Sequence, residues 1–335
     1  MSFKDIVGQE KAIKILKKSV KENRISSSYI FIGNKGVGKK LTALEFYKAM
    51  NCLNIDKNNE ACDNCEVCSK INRQCCPDLK IIKPIKDLIK IEQIRELRKD
   101  IEIKPFENKK EIYIIDQAEQ MTLEASNCLL KTIEEPPDYA VIILICLKLD
   151  PLLPTIISRC QIINFRLISS LQIKKLLLNK INNLKEERAE LISKLAQGSI
   201  GKAFSLLSDS EYFNQRERLL EHLSTIFPGK YDPHIFINIE KMITKIDRME
   251  EILEIIISWY RDILMIKKLG NQENIINSDR LEVISEISRT YPLKILIDIL
   301  DYSEQIQEYL KKNVNKHLVL ERLYLKMVGL EYCLK

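Results

Sequence analysis

The stretch YIFIGNKGVGKK, residues 29–40, constrains this chain more than any other. A short β-branched run enters a glycine-rich turn, with Gly36 inside it, and leaves as a helix; Gly33, Gly38 and Lys39 match the phosphate-loop pattern G-x-x-x-x-G-K-[ST]. That unit belongs to a parallel sheet covered by helices, because a strand followed by a helix returns to a parallel neighbour. The last letter is wrong. Lys40 stands where a serine or threonine hydroxyl should hold magnesium. Thr42 is no substitute, since two residues along a helix turn the side chain by about 200°.

The rest of the first half agrees with a parallel α/β fold. The runs 29–33, 78–82, 111–116, 140–146 and 161–165 are short, apolar and rich in β-branched residues, and they predict five buried strands. Residues 39–51, 92–100 and 122–134 carry the 3.6-residue spacing of covering helices, the last stopping before Pro136-Pro137. Beyond Phe165 the strands cease. One stripe holds Ile252, Ile256, Trp259, Ile263 and Ile266, another Leu296, Leu300 and Leu310, as long packed helices require. The expected organisation is an α/β nucleotide-binding-like domain over 1–165, a small helical domain over 166–207 and a helical bundle over 208–335. A chain of 335 residues exceeds one compact core, so several domains are expected.

EIYIID, 111–116, ends in Asp116, placed to stand near magnesium at a strand end. The next position, where a glutamate polarises the attacking water, is Gln117, and an amide cannot take the proton. Glu119 belongs to the following turn rather than the strand end. Cys52, Cys62, Cys65 and Cys68 follow C-x9-C-x2-C-x2-C in a polar segment. Four thiolates at that spacing can close a tetrahedron around zinc as a structural site. An iron–sulfur cluster is the competitor, but the fourth cysteine expected after three intervening residues is missing, that position being Asn72, and Cys75 and Cys76 come too late. Cys128, Cys146, Cys160 and Cys333 sit on apolar segments and read as small core residues.

No run of about 18 uncharged apolar residues exists, so no membrane span is expected. The N-terminal MSFKDIVGQEKAI lacks a signal-peptide core, which with ten cysteines in a long chain points to reduced thiols or metal ligands in the cytoplasm. A net charge of +6 with alternating lysines and acids permits contact with nucleic acid without demanding it.

LLKTIEEPP (129–137) and LLPTIISRC (152–160), with FKDIVGQ near the start, GVGK and the inserted cysteines, resemble bacterial DNA polymerase III clamp-loader subunits of the AAA+ class. The resemblance runs through nearly the whole chain in order. It implies an AAA+ domain with a zinc module at about 52–68, a lid, and a C-terminal collar for oligomerisation. Motor subunits of this group (tau/gamma) typically read IDEVHML where this chain has IDQAEQM, the form of their stator-like delta-prime relatives. Leu147 stands where the motors place a threonine that senses the γ-phosphate, and Gly201 where they carry a sensing arginine. With Lys40 and Gln117, four positions needed for hydrolysis are changed at once, so ATP or ADP can be held at the loop but little turnover is expected. In the resembling family the SRC arginine, here Arg159, projects to the nucleotide of a neighbouring motor as an arginine finger in trans. The implied partners are the tau/gamma and delta subunits in a pentameric ring and, through that ring, the sliding clamp and primed DNA. An active tau/gamma-type ATPase is the alternative. A zinc-dependent nucleic-acid binder is weaker, because Asp63 and Glu66 sit in the cysteine loop and no aromatic residue does.

Overall fold

The computed structural model describes residues 2–73, 75–234, 237, 249–270, 275–310 and 315–330. Cys333 lies outside them, and nothing is described of the Leu310 side chain. The chain divides into two compact units, Met1–Lys180 with Gln197–Lys202, and Ile181–Ala196 with Ala203–Lys335.

The first unit is a five-stranded, wholly parallel sheet with helices on both faces. Its strands are β1 (Ser28–Ile32), β2 (Leu79–Ile82), β3 (Glu111–Asp116), β4 (Ala140–Cys146) and β5 (Gln161–Asn164), in the order β2-β3-β4-β1-β5. β4 lies at the centre and all seven of its residues are buried, which explains why AVIILIC shows no polar alternation. The edge strands β2 and β5 are only partly covered.

On one face, α1 (Glu10–Lys21) and α2 (Lys39–Asn51) cover the sheet through Leu16, Ala43, Phe46 and Tyr47. On the other, α4 (Ile91–Ile101) and α5 (Leu123–Glu134) do so through Ile94, Leu97, Ala125 and Leu129. Between them in sequence, α3 (Glu66–Asn72) carries the end of the cysteine segment. The short α6 (Pro154–Ile157) precedes β5, and α7 (Ser170–Lys180) follows it. In the sheet register Asp116 pairs with Ile145, while Gly33 N–H donates to the Cys146 carbonyl at 3.2 Å. The carboxyl ends of β1, β3 and β4 therefore lie side by side, where open α/β sheets bind ligands.

The second unit is helical among the described residues. It contains α8 (Glu186–Leu195), most of α9 (Ile200–Ser208), α10 (Ser210–Ser224), α11 (Met249–Leu269), α12 (Leu281–Thr290), α13 (Leu293–Leu310) and α14 (Lys316–Met327). Ile252, Ile256, Trp259 and Ile263 form the buried stripe of α11, with Ile266 half-buried; Leu296 is buried and Leu300 half-buried. Buried Arg216 forms two bonds to Asp279, at 2.7 and 2.8 Å, and one to Asn277 Oδ1 at 2.7 Å. A guanidinium taken out of water needs such pairing, although the buried Arg216 Nε has no hydrogen-bond partner among the described residues.

Candidate nucleotide site and metal centre

The loop after β1 is held from both sides. Gly33 has φ +152°, and a Cβ there would come within 2.5 Å of the Phe165 carbonyl oxygen. Gly36 has φ +76°, and a Cβ there would overlap Ser199 Oγ. Both positions require glycine. Gln9, from FKDIVGQ, is buried and bridges the loop to the end of β5. Its Nε2 donates to the Val37 carbonyl at 3.2 Å and the Arg166 carbonyl at 2.8 Å, while its Oε1 accepts from Arg166 N–H at 3.0 Å.

One cavity of about 470 Å³ brings together Gly36, Gly38, Lys39, Lys40, Asp116, Gln117, Leu147 and Gly201. Gly33 is not among the lining residues. Lys39 is only 6% exposed, and its ammonium donates to the Gly33 carbonyl and, at 2.8 Å, to the Asn34 carbonyl. Burial lowers its proton affinity, against the pull of Cys146, Glu119 and Asp116. Lys40 Nζ lies 3.8 Å from Asp116 Oδ2. Burial and the neighbouring ammonium of Lys83, at the end of β2, lower the Lys40 pKa, and Asp116 opposes them. Thr42 is fully buried and donates to the Gly38 carbonyl at 2.9 Å, so its hydroxyl is used within the helix. The donor set does not fit magnesium: an ammonium without a lone pair faces the carboxylate where a hydroxyl would bind the metal.

The remaining walls include Glu119, which the sequence assigns to the turn after the strand and not to the site. Glu119 turns back from a 3-10 turn, Ala118–Gln120, entered through Gln117 at φ +59°. Its Oε1 accepts from Leu147 N–H at 3.3 Å, and its buried Oε2 has no hydrogen-bond partner among the described residues. The left-handed conformation at Gln117 brings it there, which no local spacing signals. Lys83, which sequence reasoning passed over, is outside the cavity lining but close to Lys40. Leu147 is 47% exposed and offers no hydrogen-bonding side chain. Gly201 N–H donates to the Gly36 carbonyl at 2.9 Å, and a Cβ on Gly201 would come 3.0 Å from Gly36 Cα. No side chain fits there without moving the segment.

The four cysteines Cys52, Cys62, Cys65 and Cys68 converge, with their sulfur atoms all within 4.8 Å of one another. A tetrahedron of zinc–sulfur bonds near 2.3 Å spans about 3.8 Å between sulfurs, so the set fits a metal ion with slight closure. Cys52 caps the end of α2 and Cys65 the start of α3. Cys62 N–H donates to Cys52 Sγ and Cys65 N–H to Cys62 Sγ, both at 3.3 Å. Burial works against ionisation of Cys65, but N–H groups of Cys68 and Leu53 outweigh it and hold its pKa at about 6. The segment is bolted to α2 by Lys48, whose buried ammonium lies 2.8 Å from both Glu45 and Asp63. Cys146 is buried, Cys128 and Cys160 are half-buried, and burial pushes the thiols of Cys146 and Cys160 up to about 12.

Arg159 follows α6 and stands outside the cavity walls. Its Nη2 lies 3.0 Å from Glu134 Oε1, and its Nη1 donates to the Thr155 carbonyl at 3.1 Å. Both charged groups are substantially exposed.

Two family models, described as DNA polymerase III, delta subunit, and DNA polymerase III, delta subunit, C terminal, match residues 8–169 and 210–328. DNA polymerase III subunit delta' of Bacillus subtilis is 29% identical over 95% of this chain and 96% of its own length. Subunit gamma/tau of Mycoplasma genitalium is 34% identical over 65% of this chain, but this chain spans only 37% of that protein. Among solved structures, a gamma subunit-related protein of Thermotoga maritima is 18% identical with a TM-score of 0.46, covering 94% of this chain and 98% of its own. With both family models on successive parts of the chain and a delta' relative matched end to end, the chain belongs to the delta-prime family of DNA polymerase III clamp-loader subunits.

Proposed function

We propose that this chain is a non-hydrolysing member of a clamp loader, a subunit of the DNA-directed DNA polymerase III holoenzyme. It supports ATP-dependent placement of the sliding clamp on primed DNA in the cytoplasm. The observation that carries the reading is the Lys40–Asp116 pair, which puts a fixed ammonium where a hydrolytic site needs a hydroxyl and a divalent ion. Leu147 and the side-chain-free contact of Gly201 with Gly36 support it. Gly33, Gly36, Gly38, Lys39 and Asp116 form a degenerate site that holds ATP or ADP without turning it over. Cys52, Cys62, Cys65 and Cys68 hold a structural zinc. Arg159 serves as an arginine finger to a neighbouring motor, and the tau/gamma and delta subunits complete a pentameric ring. Residues 166–207 act as a lid and 208–335 as the collar. Among the described residues no helix is long and apolar enough to cross a membrane.

The test is reconstitution with tau/gamma and delta subunits. The isolated chain should show no appreciable ATP hydrolysis, and the complex lacking it should lose DNA- and clamp-stimulated ATPase. One observation favours the alternative of an active tau/gamma-type ATPase: Glu119 presents an unpartnered carboxylate oxygen at the cavity wall, a stand-in for the base missing at Gln117. Steady turnover by the isolated chain, abolished by Lys39→Ala and by Glu119→Ala, would establish it.

A further inference from the structure

In a phosphate loop that works with magnesium, the metal brings two positive charges to the β and γ groups and is itself held by a hydroxyl and a strand-end acid. Here the acid remains as Asp116, but its partner across the cavity is an ammonium at 3.8 Å. Lys83, just past the end of β2, lies close enough for its charge to bear on Lys40. Two lysines from different elements thus lie near one another, and Asp116 pairs with one of them. That leaves an excess of positive charge beside the loop, an arrangement that an anion relieves and a second cation aggravates. The Lys39 ammonium has three protons, of which two are given to loop carbonyls, leaving one for a phosphate oxygen. The cavity of about 470 Å³ has room for a bound anion.

We propose that the Lys40 ammonium takes the place of magnesium, so that this cavity binds the polyphosphate of a nucleoside di- or triphosphate as the metal-free anion. The proposal rests on the reading that the degenerate loop holds nucleotide. Asp116 orients the Lys40 ammonium towards the phosphates rather than coordinating a metal. A magnesium-loaded nucleotide brings its cation against Lys40 and Lys83, and is rejected relative to the free anion. Binding therefore has the opposite metal dependence to that of a hydrolytic site.

The experiment is equilibrium binding of ADP and ATP to the intact chain, by calorimetry, once with EDTA and once with excess magnesium. Wild type should bind in EDTA and bind roughly fivefold more weakly with magnesium, the size of one partly exposed charge contact. Lys40→Thr, which restores a hydroxyl, should reverse the order and bind better with magnesium. Lys40→Arg should keep the wild-type order, and its binding also controls for damage to the fold. Tighter binding by wild type in magnesium than in EDTA overturns the proposal while leaving the nucleotide-holding reading intact. No binding in either condition overturns both.

Discussion

The guanidinium of Arg159 is anchored 3.0 Å from the carboxylate of Glu134, joining the end of the LLKTIEEPP segment to the SRC segment across the outer side of the sheet. With Thr155 accepting a second bond at 3.1 Å, the arginine is held in one orientation while much of it stays in water. A pair so exposed contributes under about 1 kcal/mol to stability. Folding therefore does not depend on it.

Arg159→Ala should therefore leave folding, metal content and assembly unchanged. In the reconstituted complex it should lower clamp-stimulated ATPase, since a finger contributes about 10³–10⁵ at a site that is otherwise complete. One finger serves one of several sites, so the loss in the whole complex should be partial unless the sites fire in obligatory order. Glu134→Gln should give a smaller loss in the same assay. Wild-type rates for Arg159→Ala would remove the arginine from the mechanism.

Purified protein should contain about one zinc per chain and be colourless, because four thiolates complete the metal's preferred tetrahedron. Elemental analysis and an absorption spectrum check this together; iron with a brown band would contradict it. Cys65→Ser should release the metal and lower the melting temperature, since α2 and α3 both end or begin on a ligand.

Gly201→Arg, which writes back the side chain that motor subunits carry, should fail to create an ATPase. It should cost about 1–3 kcal/mol instead, the usual penalty for forcing a side chain into a packed contact. The Cβ alone would lie 3.0 Å from Gly36 Cα. Denaturant unfolding measures the cost, and an unchanged midpoint would mean that the 197–202 segment yields freely.

Glu111, at the start of β3, is buried, and burial pushes its carboxyl up to about 7. Its Oε1 has no partner among the described residues, and only the Tyr113 hydroxyl, at 3.4 Å, approaches the other oxygen. The folded state thus holds this proton more tightly than the unfolded chain, whose glutamates titrate near 4.3. Its contribution to stability is full below that value and is lost as pH rises through about 7. Glu111→Gln should match wild type at pH 4 and exceed it by about 2 kcal/mol at pH 8 in urea melts.

The strands were legible because a central parallel strand has no wet face: AVIILIC and EIYIID carry their burial in their composition. The helix over 39–51 was legible to the residue, since Gly38 starts it and a metal ligand ends it. The cysteine set was legible from spacing alone. What escaped was contact between distant segments. Nothing local in AQGSIGKAF says that Gly201 will press its backbone against Gly36, nor in TIEE that Glu134 will meet Arg159. In sequence Glu119 reads only as part of the turn after β3, for another reason. Its direction depends on a left-handed Gln117, and non-glycine residues adopt that conformation too seldom for sequence to announce it.

The helix α2 begins on Lys39 and hands over at Cys52 to the metal cluster, with Lys48 bolting the two together. About 20 Å of one rigid rod therefore separates the phosphate loop from the thiolates. Lys40 can exchange one ligand chemistry for another because its side chain reaches only the cavity. Gly33 and Gly36 cannot drift in the same way, because a side chain at either would push against Phe165 or Ser199 and unseat the helix that the cysteines depend on. A side chain placed at either glycine would thus be felt at the four cysteines, at the far end of the helix.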